Sequence, residues 1–407
     1  TGAVLLADAL DVIKKFAFEH SQYPFILSVE NHCSSKQQSV MAQLFVSKLG
    51  KDIVPYKQLS GPKAQLPSPK ELMNKFIIKC KVKDESPPEL AKLVFLRGAK
   101  FKDWNNSLAL DVNDMHSFSE SKLESLIDKV PEDSSPSVDK QAPVGIDADA
   151  EVDSLAFNVD GGARKLLEYN ARHLSRVYPK GTRVGSDNYD PSLAWDYGCQ
   201  VVALNFQTIN PATLSNYAMF SQNSNAGYVL QPDYVRGLKD AKPKKSVVVT
   251  VQVVMGYNLP SYSNDASRKQ DVMNPYVIVE CGTHKKKPEG VLGPGPASMA
   301  AGIAVDNISN YIHEMRTKTV KQNDLDPVFL SDDPKYNNFQ VFVESRDTGS
   351  IHFRVMNEII GKDGIIAYGA VMVRSLRPGY RFVPLLDNQG KPLRAMHGLL
   401  CHFKLSE

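Results

Sequence analysis

The chain has 407 residues, 42% hydrophobic and 23% charged, enough for two ordinary domains with buried cores. Its 48 Lys and Arg against 45 Asp and Glu leave a net charge of +3, which excludes a nucleic-acid-binding polyelectrolyte and makes any anion site a local one. The five cysteines (Cys33, Cys80, Cys199, Cys281, Cys401) are odd in number and lack CxxC spacing, which argues against a disulfide framework or structural zinc and for a reducing, intracellular setting; no apolar run approaches the roughly 20 residues that cross a bilayer, so any membrane contact is expected to be peripheral.

Apolar residues recur at helical spacing from Leu5 to Phe18, and Pro24 to Glu30 then reads as a buried strand. The alternation continues: a helix over Ser39 to Leu49, a strand over Phe76 to Val82, a short apolar run over Leu93 to Leu96, a helix over Gly162 to Leu174, a strand end at Ser175 to Tyr178, and a central strand over Gln200 to Phe206. Continuously apolar strands separated by helices indicate a parallel sheet covered on both faces, with a (β/α) barrel as its closed form. About five strands are legible where such a barrel has eight, so this is an α/β, partial TIM-like barrel. Residues 126–160 turn to Ser, Pro, Asp and Glu and are expected to be a disordered insertion. After a junction at Gly237 to Lys245 the period changes to two, with strand text at Val247 to Val254, Asn338 to Glu344 and Ser350 to Val355; the tail is an all-β sandwich, with a long flexible loop from His284 to Asn310. The domain division that follows is 1–83, 84–237 and 245–407.

Functional side chains in a parallel barrel gather at the C-terminal ends of its strands. Glu30 closes the first strand and Asn31-His32 follow it; Lys79 and Lys81 alternate at the end of the next; Ser117 follows Asp114-Met115-His116; Arg176 and Tyr178 alternate before Pro179. One carboxylate, three cations, a hydroxyl and an aromatic sharing one mouth suit a phosphorylated, ring-shaped polyol: cations for phosphate, Tyr178 as a stacking plate, Glu30 as a hard oxygen ligand for a metal. A lone Lys at a strand end is usually only solvated, so it is the convergence that carries information. His32 reads as a base or, by preference, as a buried and satisfied polar group. Trp195 and Tyr197 lie before the strand at Gln200, on its N-terminal side, and are read as packing residues.

Several of these stretches resemble phosphoinositide-specific phospholipase C. Tyr23-Pro24-Phe25-Ile26-Leu27-Ser28-Val29-Glu30-Asn31-His32-Cys33, Leu66-Pro67-Ser68-Pro69 and Lys79-Cys80-Lys81 resemble its X region. Ser117-Phe118-Ser119-Glu120, Ser175-Arg176-Val177-Tyr178-Pro179, Asn188-Tyr189-Asp190-Pro191 and Gly198 to Thr208 resemble its Y region, and Gly227 to Pro232 resembles the exit toward a C2-type β-sandwich. The resemblance implies that Glu30 is one ligand of a catalytic Ca²⁺, that Lys79, Lys81, Ser117 and Arg176 hold the ring phosphates, and that Tyr178 packs on the inositol ring. It implies calcium-dependent hydrolysis of phosphatidylinositol 4,5-bisphosphate to inositol trisphosphate and diacylglycerol in intracellular signalling. The inositol 2-hydroxyl attacks the 1-phosphate, and water opens the cyclic phosphate. The partners implied are the phosphoinositide and a membrane surface, in a cytoplasmic, membrane-peripheral setting; the alternative is a non-catalytic phosphoinositide-binding scaffold. An unrelated barrel enzyme acting on sugar phosphates conflicts with the appended sandwich.

Departures from the pattern set further expectations. The family's two catalytic histidines and remaining metal ligands fall before Thr1, so no catalytic residue is assigned and the upstream half of the same enzyme is an expected partner. Glu30 alone cannot supply the roughly six to eight oxygens a Ca²⁺ ion takes. Thr182 stands where relatives often carry a membrane-inserting tryptophan, and Asn274, Asn357 and Ile359 stand where calcium-binding sandwiches carry aspartates, so a structural C2 domain is expected.

Overall fold

A computed structural model describes residues 4–127, 161–183, 185–238, 244, 246–262, 272–282, 315–393 and 396–406. The expected loop from His284 to Asn310 and all but two residues of the expected insertion lie outside that set; those two, Leu126 and Ile127, end a helix, and Leu126 is buried rather than disordered.

The first half is a six-stranded parallel sheet in strict chain order: β1 (Phe25–Ser28), β2 (Phe76–Cys80), β3 (Val94–Gly98), β4 (Asp114–Ser119), β5 (Ser175–Tyr178) and β6 (Val201–Val202). Helices α1 (Leu6–Phe16), α2 (Ser35–Leu49), α3 (Pro88–Ala91), α4 (Trp104–Leu108), α5 (Glu120–Ile127), α6 (Gly162–Asn170), α7 (Pro191–Asp196) and α8 (Pro211–Phe220) intervene. This is the expected partial barrel, with one more strand than the sequence count. The extra one is β4: the polar residues Asp114, His116, Ser117 and Ser119 mask it, and Ser117 lies inside the strand rather than after it. α2 starts at Ser35, earlier than its apolar pattern, because Ser34 and Gln37 form a reciprocal capping box. The expected central strand over Gln200 to Phe206 is instead a two-residue edge of the described sheet; beyond Val202 the chain turns to bond Asn188 and Tyr189.

Side chains alternate across these strands. Phe76, Ile78 and Cys80 of β2 face α1 and α2, where Phe45 and Leu49 close a core; Ile77 faces the other way, toward Ile26, Leu96, Met115, Leu174 and Val201.

The second half is an antiparallel sandwich of β7 (Val247–Tyr257), β8 (Pro275–Cys281), β9 (Met315–Arg316), β10 (Phe339–Val343), β11 (Ser350–Asn357), β12 (Gly364–Met372), β13 (Gly379–Leu386) and β14 (Gly398–Ser406). The order β10-β7-β14-β13 and β12-β11-β8-β9 forms two layers, which among the described strands pair where Tyr368 and Gly369 meet Leu386 and Leu385. One core fills both: Val249, Val251, Phe353, Val355, Val383 and Phe403 are fully buried. α8 docks the halves together, with Leu214, Ala218 and Met219 packed on Tyr368, Ala370 and Met372 and against Trp195, which is a packing residue as expected. Ser215 Oγ lies 3.0 Å from Ser350 Oγ across that contact, and Asp196 accepts from Thr348 at 2.7 Å and Ser345 at 2.9 Å. Among the described residues no helix is long and apolar enough to cross a membrane, and the five cysteines form no disulfide.

His116 and His173 sandwich the Tyr169 ring in the barrel core, with centroids at 4.8 and 4.3 Å. Burial, first, holds both imidazoles below the ordinary value of 6.5. The unfolded chain therefore takes up protons that the fold refuses, so stability is full above pH 6.5 and is lost as pH falls from there toward the folded values. Denaturant midpoints measured between about pH 7.5 and about pH 5.5 should fall with pH; a flat profile would show that the pair does not titrate on unfolding.

Candidate functional site

The alternation that sends Ile26, Ile77, Met115 and Leu174 to an apolar floor puts the residues two and four further on above it. On β2 these are Lys79 and, one residue past the strand, Lys81; on β4 Ser117; on β5 Arg176 and Tyr178. Glu30 reaches the same level past β1, since Ser28 pairs with Lys79 and the Val29 N–H donates to the Lys79 carbonyl at 2.8 Å. Parallel register aligns Ser117 with Arg176 and Ser119 with Tyr178. The strands thus bring all six expected residues to one end of the sheet.

Electrostatics ties them more closely. Burial holds the Lys79 ammonium below the usual lysine range, the Arg176 charge pushes it further down, Lys81 acts with the same sign, and Glu30 opposes them. Like charges held this close make the mouth a receptor for an anion, whose arrival relieves the repulsion. The Arg176 guanidinium also sits 5.1 Å over the Tyr178 ring, which fixes the plate beside the cation.

His32 departs from its expected environment. It is not buried: its side chain is 82% exposed and that of Glu30 89%, with Nε2 and Oε1 3.2 Å apart. The turn after β1 projects both into solvent, where a surface ion pair contributes little. The donor set does not make a calcium site by itself. Among the described residues no group of three or more His, Cys, Asp and Glu side chains is placed to hold a metal, and Glu30 supplies one carboxylate of the several such an ion takes.

Three residues that shape the mouth lacked an assigned role at the level of sequence. Gly98, at the end of β3, leaves the space for Lys81: a Cβ there would lie 2.9 Å from Lys81 Cγ. Glu120, 4% exposed, follows β4 and accepts from Arg183 Nε at 2.9 Å and Nη2 at 2.7 Å, and from the Lys180 N–H at 3.2 Å. It thereby clamps the segment after Tyr178 onto the strand that carries Ser117. Asn188 completes the clamp from the other side, accepting from the Asn205 N–H at 2.7 Å and donating to its carbonyl at 2.8 Å. The sequence signal for Glu120 was its place three residues after Ser117; nothing marked Arg183 as its partner.

Comparison with known proteins gives the chain its relatives. Residues 1–82 match the family described as phosphatidylinositol-specific phospholipase C, X domain, and residues 149–234 the corresponding Y domain. The chain is 30% identical to the inactive phospholipase C-like protein 1 of Mus musculus over 92% of its own length and 33% of that protein's. It is 29% identical to the 1-phosphatidylinositol 4,5-bisphosphate phosphodiesterase delta-3-A of Danio rerio over 97% of its length and 48% of that protein's. The crystal structure of PLC21 from S. officinalis superimposes with a TM-score of 0.70 at 24% identity, covering 99% of this chain and 47% of that one, and so shares its fold. The chain thus spans between a third and a half of these relatives.

The Glu120 clamp is open to direct test. Because Arg183 keeps Asp187 at 2.6 Å and is partly exposed, Glu120→Ala should cost about 2 kcal/mol in denaturant unfolding, below the roughly 3–5 kcal/mol of a fully buried pair. Proteolytic cleavage between Pro179 and Asp190 should rise with it, and Glu120→Gln, which retains acceptors, should lose less.

Proposed function

Because the chain belongs to the phosphoinositide-specific phospholipase C family, we propose that the protein carrying it hydrolyses phosphatidylinositol 4,5-bisphosphate at a membrane surface, in a calcium-dependent way, to inositol trisphosphate and diacylglycerol. In this reading the chain supplies the headgroup-binding side of the mouth and the docked sandwich, within the division 1–83, 84–237 and 245–407. The observation that carries it is the convergence of Lys79, Lys81 and Arg176 over one apolar floor beside a single carboxylate. Three cations offer charge-assisted bonds to the ring phosphates, and Arg176 adds a planar fork suited to two phosphate oxygens. Ser117, level with Arg176 on the neighbouring strand, offers a hydroxyl to the same group. Tyr178 presents a ring face to the inositol, whose axial C–H groups suit an aromatic plate. Glu30 would contribute one oxygen ligand to the calcium ion that such an enzyme uses. The setting is cytoplasmic and peripheral to the membrane.

A second reading is a phosphoinositide-binding protein without catalysis. One observation favours it: similarity to the inactive phospholipase C-like protein 1 is as high as to the delta-3-A phosphodiesterase. Release of inositol phosphate by the whole protein separates the two readings.

Both readings share a test at Arg176. Arg176→Ala removes a charge-assisted contact of about 1.5–3 kcal/mol only where a ring phosphate exists, so affinity for the bisphosphorylated headgroup should drop about tenfold to hundredfold and that for unphosphorylated phosphatidylinositol should hold. Equal losses for both lipids, read by vesicle binding, would refute the assignment.

A further inference from the structure

Strand β3 is the gap in the mouth. Its register sets Leu96 beside Lys79 and Arg97 beside Cys80, which brings Gly98 level with Lys81, one position further toward the open end. Leu96 belongs to the floor, and Arg97 points the other way, onto the Tyr56 ring at 3.4 Å. Between the cations of β2 and the Ser117 hydroxyl of β4, this strand therefore offers the mouth no polar side chain of its own.

Glycine stands at this position for room and not for backbone freedom. The φ of Gly98 lies outside the left-handed region, so an ordinary residue could adopt the same backbone. What a side chain could not do is share the space: a Cβ on Gly98 would stand 2.9 Å from Lys81 Cγ and 3.8 Å from both Lys81 Cα and the Cys80 carbonyl oxygen. Neighbouring strands lie about 4.8 Å apart. A γ carbon this close to the empty β position shows that the Lys81 side chain leans from β2 across β3, toward the side of the sheet where β4 and β5 carry Ser117 and Arg176.

The Lys81 ammonium is held by nothing else. The residue is exposed, and among the described residues it makes no ion pair, whereas Lys83 two positions later faces Glu85 at 3.5 Å. Arg176 acts on Lys79 more strongly than Lys81 does, so Lys79 and Arg176 form the close pair of the mouth and the Lys81 charge stands apart from them. Where it stands is set by the first bonds of its stem, and those run through the space that Gly98 leaves open. An added Cβ would force Lys81 Cγ back to the ordinary contact range of 3.4–4 Å. A lysine meets that demand by changing rotamer near its root, and the ammonium at the far end of the stem swings much further than the γ carbon.

We propose that Gly98 is a specificity-determining residue of the headgroup site: its missing side chain lets Lys81 lie over β3, and that placement sets the preference for a ring with two phosphates over a ring with one. The proposal deepens the preceding reading, on which Lys81 binds a ring phosphate, by naming the residue that puts Lys81 there. A ring with one phosphate is served by the close pair of Lys79 and Arg176. A second phosphate asks for a further cation set apart from that pair, since each charge-assisted bond needs its own donor within reach. Gly98 touches neither lipid nor metal; it acts through Lys81, as a positioning residue.

The test titrates the whole protein with phosphatidylcholine vesicles that carry phosphatidylinositol, its monophosphate or its bisphosphate. Lys81→Ala and Gly98→Ala should each weaken binding to the bisphosphate about tenfold, weaken binding to the monophosphate less, and leave phosphatidylinositol unchanged. The double variant carrying both changes should bind as Lys81→Ala does alone, because an alanine at position 81 has no Cγ to displace. For the same reason, any fall in melting temperature caused by Gly98→Ala should disappear in the double variant, and a fall that persists there overturns the proposal. It is also overturned by a Gly98→Ala protein that binds all three lipids as the wild type does, by one that loses all three alike, or by losses that multiply in the double variant. Normal binding of the bisphosphate by Lys81→Ala removes the headgroup role of Lys81 and this proposal with it. A weakened Lys81→Ala beside a normal Gly98→Ala leaves that role standing and overturns the part given to the glycine alone.

Discussion

The two-residue repeat of a strand, imposed on parallel strands that all run the same way, is the constraint on which the mouth depends. Each strand sends one set of side chains to the helices and the other to the floor formed by Ile26, Ile77, Leu96, Met115, Leu174 and Val201. The next positions on that second set have nowhere to go but the open end of the sheet. A slip of one residue in any strand would bury its cation under the helices and expose its apolar residue at the mouth. The apolar floor therefore specifies the charged site above it, and the stability of the floor offsets the cost of holding Lys79, Lys81 and Arg176 together.

That cost is visible in the depressed Lys79 ammonium, and it explains why the surroundings of the mouth are built from restraints. Long cationic side chains lose about 2 kcal/mol of rotamer entropy each when fixed. Space beside Gly98 and the ring of Tyr178 limit where Lys81 and Arg176 can go, so part of that loss is met on folding rather than on binding. The Glu120–Arg183 pair adds a second economy. It commits Arg183 to a buried carboxylate and so holds the segment after Tyr178 in place.

Much of this was legible in the sequence because it follows from period and composition. The α/β then all-β division, the strands at β1, β2 and β5, and the placement of Glu30, Lys79, Lys81, Arg176 and Tyr178 at one end all come from apolar runs closed by polar residues, while Ser117 was placed there from the stretch Asp114-Met115-His116. What could not be read depends on long-range partners. β4 was missed as a strand because its polar residues hide the pattern, and the one at its centre, His116, is buried and satisfied by Ala99, Ser107 and Tyr169 from elsewhere in the fold. β6 was overrated because apolarity marks burial, not pairing; Val201 and Val202 bury against the floor and the α8 interface while only one neighbour bonds them. His32 was misjudged because burial after a strand end depends on how the turn leaves the sheet, which one chain segment does not encode.

Contact between the halves connects the mouth to the loop end of the sandwich. α8 uses small residues, Ala212, Ser215 and Ala218, so that β11 and β12 approach its backbone, and it buries Leu214 and Met219 against them. Asp196, at the end of α7, bonds Ser345 and Thr348 of the sandwich, and α7 follows directly on the clamped segment that leaves Tyr178. The unit that carries Tyr178 is thus hydrogen-bonded to the sandwich. An apolar core flanked by buried polar bonds resists sliding, because any shift strands hydroxyls and a carboxylate without partners at a cost of about 1–3 kcal/mol each.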